Sequence, residues 1–122
     1  MTLNYLDFEY SEDTEGVGTF DAMASVMPAQ LPAVHAELEL VLAWAVTAFG
    51  VAHGPADEGF AWDYDLQSQQ EYTVNEHLAF DPGTGRVSAQ PGHSGAPRHT
   101  ITLSLSGDAA FCDAFRLRFQ LD

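Results

Sequence analysis

Regular alternation of apolar and polar residues is the feature that most restricts how this chain can fold. Residues 99–106 read HTITLSLS, in which three apolar side chains alternate with hydroxyl side chains. A period of two predicts a β-strand with one buried and one solvated face. The same period recurs in residues 3–10, 17–27 and 60–67. Much of the chain is therefore expected to form a sheet with one polar side.

Two pairs of segments are separated by turn sequences and predict hairpins. The polar run SEDTEG separates residues 3–10 from residues 17–27, and DPGTG separates residues 72–80 from residues 86–90. Proline and glycine supply the backbone conformations that tight turns need. Because strands joined by short turns pair antiparallel, we expect a mostly antiparallel sheet.

One long helix is predicted from about residue 32 to Phe49. Pro28 and Pro32 lie at its entry, where a missing N–H has no intrahelical partner, and Gly50 is a typical stop. At about 100° per residue, one apolar stripe is expected to cover the sheet. The stripe consists of Val34, Leu38, Val41, Leu42, Ala45, Ala48 and Phe49.

A second apolar side of this helix carries Leu40 and Trp44, four residues apart and separated from the stripe by Glu37. One sheet cannot cover both sides. The second side is predicted to be covered either by the C-terminal helix, through Phe111 and Phe115, or by a second subunit. Leu40 and Trp44 are therefore candidate partner-binding residues and the expected interface of a homodimer.

The end of the chain fits two interpretations. Ser106 or Asp108 can cap a helix over AAFCDAFRL, whereas residues 115–121, FRLRFQL, also alternate as an edge strand would. We expect helix through about residue 118. The elements then predict an α+β fold in a single domain, residues 1–122, with the order β-β-α-β-β-β-α. The expected architecture is a two-layer sandwich. Its sheet is mostly antiparallel, with about five or six strands, and both helices pack on one face.

Charge is distributed unevenly along the chain. Eighteen Asp and Glu residues stand against four arginines and no lysine, for a formal net charge of −14, and residues 1–85 hold fifteen of the acids and none of the arginines. This field repels phosphates and anionic headgroups, so nucleic acid and membrane surfaces are not expected as partners. It attracts a basic protein surface, although solubility alone also explains it.

Five carboxylates are predicted to share the polar face of the sheet: Asp7, Glu9, Asp21, Asp63 and Asp65. Such a face could simply be solvated, hold a hard divalent cation or contact a basic protein. The spacing matches no EF-hand loop, and an open sheet face offers no catalytic pocket. We therefore take these acids as candidate partner-binding residues and predict no metal site.

Cys112 is the only cysteine, which excludes an intrachain disulfide and favours a reducing compartment. The N-terminal sequence has neither a basic n-region nor an apolar h-region, so the cytoplasm is expected. The longest stretch without Asp, Glu, Lys or Arg, Leu40 to Ala56, contains two glycines and Pro55. It is not expected to cross a bilayer as a helix.

No motif in the sequence predicts catalytic residues or a cofactor. The run from Gly92 to Gly95, GHSG, lacks the complete G-x-S-x-G pattern and is predicted to lie in a loop. His77 is the histidine of most interest because it stands beside Glu76, but adjacent strand residues face opposite sides. We expect a non-enzymatic protein-binding or regulatory domain. The alternative is a small enzyme or ligand-binding protein with a pocket between helix and sheet.

Overall fold

The computed structural model of the protein describes residues 2–121. Within that range it contains six strands, two α-helices, and single turns of 3₁₀ helix at Pro28–Gln30 and Ala56–Glu58. In chain order the main elements are β1 Glu9–Glu12, β2 Gly18–Val26, α1 Leu31–Phe49, β3 Trp62–Glu71, β4 Val74–Asp81, β5 Arg86–Ser94, β6 Arg98–Gly107 and α2 Ala109–Phe119.

The predicted α+β class with antiparallel pairing is confirmed, but the strands form two sheets where the sequence predicted one. The larger sheet has the order β1-β2-β6-β3, and β4 pairs with β5 in a separate two-stranded sheet. Four strands lie between the helices, one more than the predicted order contains. The separation arises because β3 and β6 pair over their whole lengths, and the β4–β5 hairpin begins only where that pairing ends.

Alternation along the larger sheet gives it one buried and one open face. Along β2, Phe20, Ala22 and Ala24 are buried, whereas Asp21 and Met23 are exposed. The neighbouring strands add further buried side chains to the same hydrophobic core, namely Trp62, Ile101, Leu103 and Leu105. The period of two in the sequence thus correctly predicted these strands.

The helix α1 follows its predicted bounds closely. Pro32 lies in its first turn, and Gly50 ends it with φ at 95°, a conformation that favours glycine. By length and composition, the segment Pro28–Phe49 could also cross a membrane, although no membrane-spanning helix was expected from the sequence. In this fold Val34 and Val41 are buried in the same core as the strand residues. Covering a sheet accounts for the apolar face of the helix.

The N-terminal segment differs from its prediction. The sequence predicts a strand over residues 3–10, but β1 is short and begins at Glu9. Upstream, the Glu37 carboxylate on α1 accepts hydrogen bonds of 3.0–3.1 Å from the backbone N–H groups of Asn4, Tyr5 and Leu6. Because a side chain takes these three donors, they are not used in a strand ladder. The segment is attached to the helix instead.

The C-terminal segment is a helix, as preferred in the prediction. Asp108 caps α2 by accepting a 2.9 Å hydrogen bond from the backbone N–H of Phe111, and Gln120 ends the helix in the left-handed region, with φ at 56°. Phe111, Phe115 and Phe119 are all buried. Their four-residue spacing puts them on one face of a helix, whereas a strand would bury every second residue.

Aromatic contacts join the two helices to the sheet. The ring centroid of Trp44 on α1 lies 5.7–6.0 Å from those of Phe111, Phe115 and Phe119 on α2. Phe115 in turn lies 4.8 Å from Phe20 of β2. The helix α2 therefore covers the Trp44 side of α1, the first of the two arrangements that the sequence allowed.

Candidate functional site

Carboxylates form a row across the open face of the larger sheet. The strand register pairs Glu9 with Asp21, Asp21 with Ser104, and Ser104 with Asp65. These residues cross all four strands in line, with about 5 Å between adjacent strands. The three carboxylates are exposed, and within residues 2–121 none of them takes part in an ion pair. The row, defined by these four residues, is therefore an uncompensated acidic surface.

The two other acids predicted for this face lie beside the row. Asp7 borders a shallow hollow of about 330 Å³ together with Glu9 and Asp21. Asp63 has a partner of its own, because its Oδ1 lies 2.7 Å from Nδ1 of His53. Asp65 lies in the row itself. Three of the five carboxylates, those of Asp7, Glu9 and Asp21, thus lie together at one end of the row, whereas Asp63 pairs with His53.

Arginines near the sheet make other contacts and do not neutralise the row. The guanidinium of Arg116 lies 3.9 Å from the centroid of the Tyr10 ring and 3.8 Å from a carboxylate oxygen of Asp113. Arg98 donates a 3.1 Å hydrogen bond to the hydroxyl of Ser25. The negative charge of the row is left to solvent and to any basic molecule that approaches it.

The two residues predicted to form a patch on α1 have different surroundings. Trp44 is half-buried by its contacts with the phenylalanines of α2, whereas Leu40 is 42% exposed. A second subunit is not needed to cover Trp44. Leu40 keeps an exposed apolar surface, but without Trp44 it is a single side chain, which is ordinary for a protein surface.

A more extensive apolar surface is found on the hairpin, here called the arm, which comprises β4, β5 and their turn. All residues of both strands are exposed. The register pairs Phe80 with Val87 and Leu78 with Ala89, so these four side chains share one face. Leu78, Phe80 and Val87 are 61–63% exposed. An isolated two-stranded ribbon is marginally stable in water. Burial of this apolar face against another surface would therefore stabilise the arm.

The strand β3 forms one edge of the larger sheet, and only the start of this edge is covered. Gly54 N–H donates to the carbonyl of Trp62 at 3.1 Å, and Tyr64 N–H donates to Oδ1 of Asp63 at 2.9 Å. Outward-facing backbone groups recur at every second residue of an edge strand. From Leu66 onward, alternate N–H and C=O groups therefore point to the free edge, which can accept another strand.

An apolar groove lies between this free edge and α1. It has a volume of about 520 Å³ and is lined mainly by His35, Leu38, Leu42, Val46 and Leu66. The lining is mostly aliphatic, with His35 and the nearby Glu39 as its polar groups. The groove corresponds to the helix–sheet pocket of the alternative functional prediction, but it opens at the sheet edge.

The residues considered for catalysis do not assemble into a reaction centre. His77 lies opposite Gln90, and Ser94 lies opposite Val74, both on the exposed arm. The loop predicted for the run GHSG was therefore wrong, because β5 continues through Ser94. In the part of the chain that the structure describes, no group of three or more His, Cys, Asp or Glu side chains is placed to hold a metal ion. These positions provide neither an enclosed pocket nor a set of metal ligands.

A histidine–carboxylate pair that no sequence pattern predicted lies at the start of β3. His53 contacts Asp63 as described, and its ring lies 4.7 Å from the Tyr64 ring. A carboxylate that orients an imidazole is also found in general-base catalysis, which needs a substrate or nucleophile at Nε2. Within residues 2–121, the hydrogen bond to Asp63 is the one that the imidazole makes. The pair attaches the preceding loop to β3, and no short motif signals it because its members are ten residues apart.

Cys112 is buried, with its Sγ 3.6 Å from the carbonyl oxygen of Gly107. Burial raises the pKa of its thiol above the ordinary value, and only 3% of the residue is exposed. We therefore expect Cys112 to react with Ellman's reagent at pH 8 roughly a hundredfold more slowly in the native protein than in urea-unfolded chain. Equal rates in the two states would show that the thiol is accessible.

Comparison with known proteins finds no relative: no family model matches the chain, and no curated protein or solved structure matches it. The function is therefore inferred from the surfaces of the protein itself. The most distinctive of them are the apolar face of the arm, the edge of β3 with its groove, and the acidic row.

Proposed function

We propose that this protein is a non-enzymatic protein-binding domain whose recognition element is the β4–β5 arm. The observation that carries this proposal is the exposure of Leu78, Phe80 and Val87 on one face of a ribbon with no helix over it. A contiguous patch of large exposed apolar side chains is typical of an interaction site. The opposite face carries His77, Ser88 and Gln90, so a bound partner would leave a polar surface in water.

Two further proposals concern how the helices pack on the sheet and which cellular compartment holds the protein. We propose a two-layer domain in which both helices pack on the same face of the four-stranded sheet. Contacts of Phe115 on α2 with Phe20 of β2 and with Trp44 of α1 support this arrangement, as does the burial of Val41 of α1 in the core that the strands share. In this arrangement the arm extends beyond both helices. The single buried Cys112, without a disulfide, supports a reducing compartment such as the cytoplasm.

Affinity purification of tagged protein from its host tests the function. Phe80→Glu is expected to lose a specifically bound protein, because it places a charge at the centre of the apolar face. Ser88→Glu, which adds the same charge to the polar face, is the matched control and should retain that protein. The proposal is wrong if every co-purifying protein is retained equally by both variants.

A second candidate function is binding of a basic protein through the acidic row, supported by the alignment of Glu9, Asp21 and Asp65 across the sheet. We predict that an arginine-rich peptide binds the protein and that the double variant Asp21→Asn/Asp65→Asn weakens this binding roughly fivefold or more at low salt. Raising the salt concentration should weaken binding to the wild type and reduce the difference between the proteins.

The control for this peptide experiment is Asp57→Asn/Glu58→Gln, which removes the same charge from an exposed turn away from the row. Isothermal titration calorimetry across a salt series measures all three proteins. If the control weakens binding as much as the row variant does, overall charge explains the attraction and the row has no specific role.

The groove between α1 and β3 supports ligand binding as the remaining alternative. Its aliphatic lining fits an apolar molecule, and His35 could orient a polar end. An apolar fluorescent probe tests this function. Binding of the probe to wild-type protein, but not to a Leu66→Glu variant, would favour it.

A further inference from the structure

We infer that the arm binds a second copy of this chain, with β4 lying along the free edge of the partner's β3 and the apolar face of the arm seated in the partner's α1–β3 groove. This inference rests on the proposed function of the arm and names its partner. The two complementary surfaces belong to the same chain: the apolar face of the arm and the groove between α1 and β3. Two copies related by a two-fold axis would therefore make the contact twice and close the dimer.

The arm is poorly placed to enter the groove of its own chain. It leaves the sheet where β3 ends at Glu71, five residues beyond Leu66, which is roughly 17 Å along the strand. The two connections to the arm are short, residues 72–73 and 95–97. Folding back would require both to reverse direction together. A second copy can present its groove without this constraint.

The edge of β3 can accept a strand at the place where the groove lies. The covered part of the edge ends at Tyr64, and Leu66 lines the groove. An added strand would form hydrogen bonds with the backbone N–H and C=O groups that point outward from β3 beginning at Leu66. β4 suits this position better than β5, since it carries Leu78 and Phe80, whereas β5 contains Pro91, which lacks an N–H.

Charge also favours the arm as the site of self-association. Residues 72–97 contain two acids, Glu76 and Asp81, and one arginine, Arg86, so they contribute −1 of the formal charge of −14. The remaining chain carries −13 and repels a second copy. The groove has one exposed acid, Glu39, in its lining. Arm and groove thus bring together a segment of low net charge and an apolar surface.

Sedimentation equilibrium from about 1 to 100 μM in 0.15 M salt tests the inference. Wild type and Ser88→Glu should be dimeric, whereas Phe80→Glu should raise the dimer dissociation constant roughly a hundredfold or more, because both arms lose their central side chain. Leu66→Glu, in the groove, should have a similar effect. Circular dichroism should show all four proteins folded, since all three substituted side chains are exposed.

Mixing the two dissociated variants distinguishes arm-in-groove binding from other dimers. Phe80→Glu has an intact groove and Leu66→Glu an intact arm, so an equimolar mixture should form heterodimers with one intact contact at concentrations where each variant alone is monomeric. Arms that packed against each other would give no such rescue, and that result would overturn the inference.

Two further results would overturn it: wild type that is monomeric at 100 μM in 0.15 M and 0.5 M salt, or a dimer that survives Phe80→Glu. If the wild type is monomeric but a different protein co-purifies in a Phe80-dependent way, the inference fails and the proposed function stands. If no binding of any kind depends on Phe80, both fail.

Discussion

Replacement of Glu37 by glutamine is expected to lower the free energy of unfolding by about 3 kcal/mol. Glu37 is 8% exposed, and its carboxylate accepts hydrogen bonds from three consecutive backbone N–H groups, those of Asn4, Tyr5 and Leu6. Glutamine keeps one acceptor oxygen and turns an NH₂ group toward the remaining donors. A buried donor that loses its acceptor costs more than the hydrogen bond itself contributes, because its desolvation is not compensated.

Urea unfolding of Glu37→Gln measures this loss, with Glu39→Gln as the matched control. Glu39 is exposed on the same helix, two residues further on, and its replacement should change stability by less than about 0.5 kcal/mol. Amide hydrogen exchange adds a local measurement, since the N–H groups of residues 4–6 should exchange faster in Glu37→Gln alone. Equal stability of the two variants would show that the carboxylate does not hold the N-terminal segment.

The sequence was informative where one local pattern dominates. The alternation in residues 99–106 correctly predicted β6, and Pro32 with Gly50 correctly predicted the ends of α1. The tail at residues 115–121 was ambiguous because a strand and a helix both place Phe115 and Phe119 on one side. The buried contacts of α2 with Trp44 decide for the helix.

Features that depend on long-range contacts were not predictable. Glu37 looked like a polar interruption between two apolar sides of α1, and nothing nearby in the sequence indicates that residues 4–6 supply its partners. The hairpin of β4 and β5 was predicted, but its separation from the larger sheet depends on how far β3 pairs with β6. Alternation identifies a strand's two faces without showing whether a helix covers one of them.

The same limit applies to the candidate sites. Period-two reasoning placed Glu9, Asp21 and Asp65 on one face, and the strand register aligns them in one row. It could not show that Asp63 pairs with His53, since that contact depends on the path of a loop. It also gave Leu40 and Trp44 equal weight, although a helix from the other end of the chain covers only Trp44.

Replacement of Phe115 by alanine is expected to lower the free energy of unfolding by about 3–5 kcal/mol. Phe115 is fully buried, and its ring centroid lies 4.8–5.8 Å from those of Phe8, Phe20, Trp44 and Phe119. It therefore joins the N-terminal segment, the sheet and both helices. Alanine leaves a cavity that rings fixed on four separate elements cannot easily close, so both the burial and the packing of the phenyl ring are lost.

The matched control for this variant is Leu117→Ala, two residues further along α2, where the side chain is 83% exposed. Its replacement should change stability by less than about 0.5 kcal/mol, because little apolar surface returns to water. A domain of this size is typically stable by about 5–15 kcal/mol, so Phe115→Ala removes a large share while Leu117→Ala removes almost none. Urea unfolding of both variants at one protein concentration makes the comparison, since self-association would otherwise add to the apparent stability. A loss below about 1 kcal/mol for Phe115→Ala would mean that α2 does not hold the helices and the sheet together as the aromatic contacts indicate.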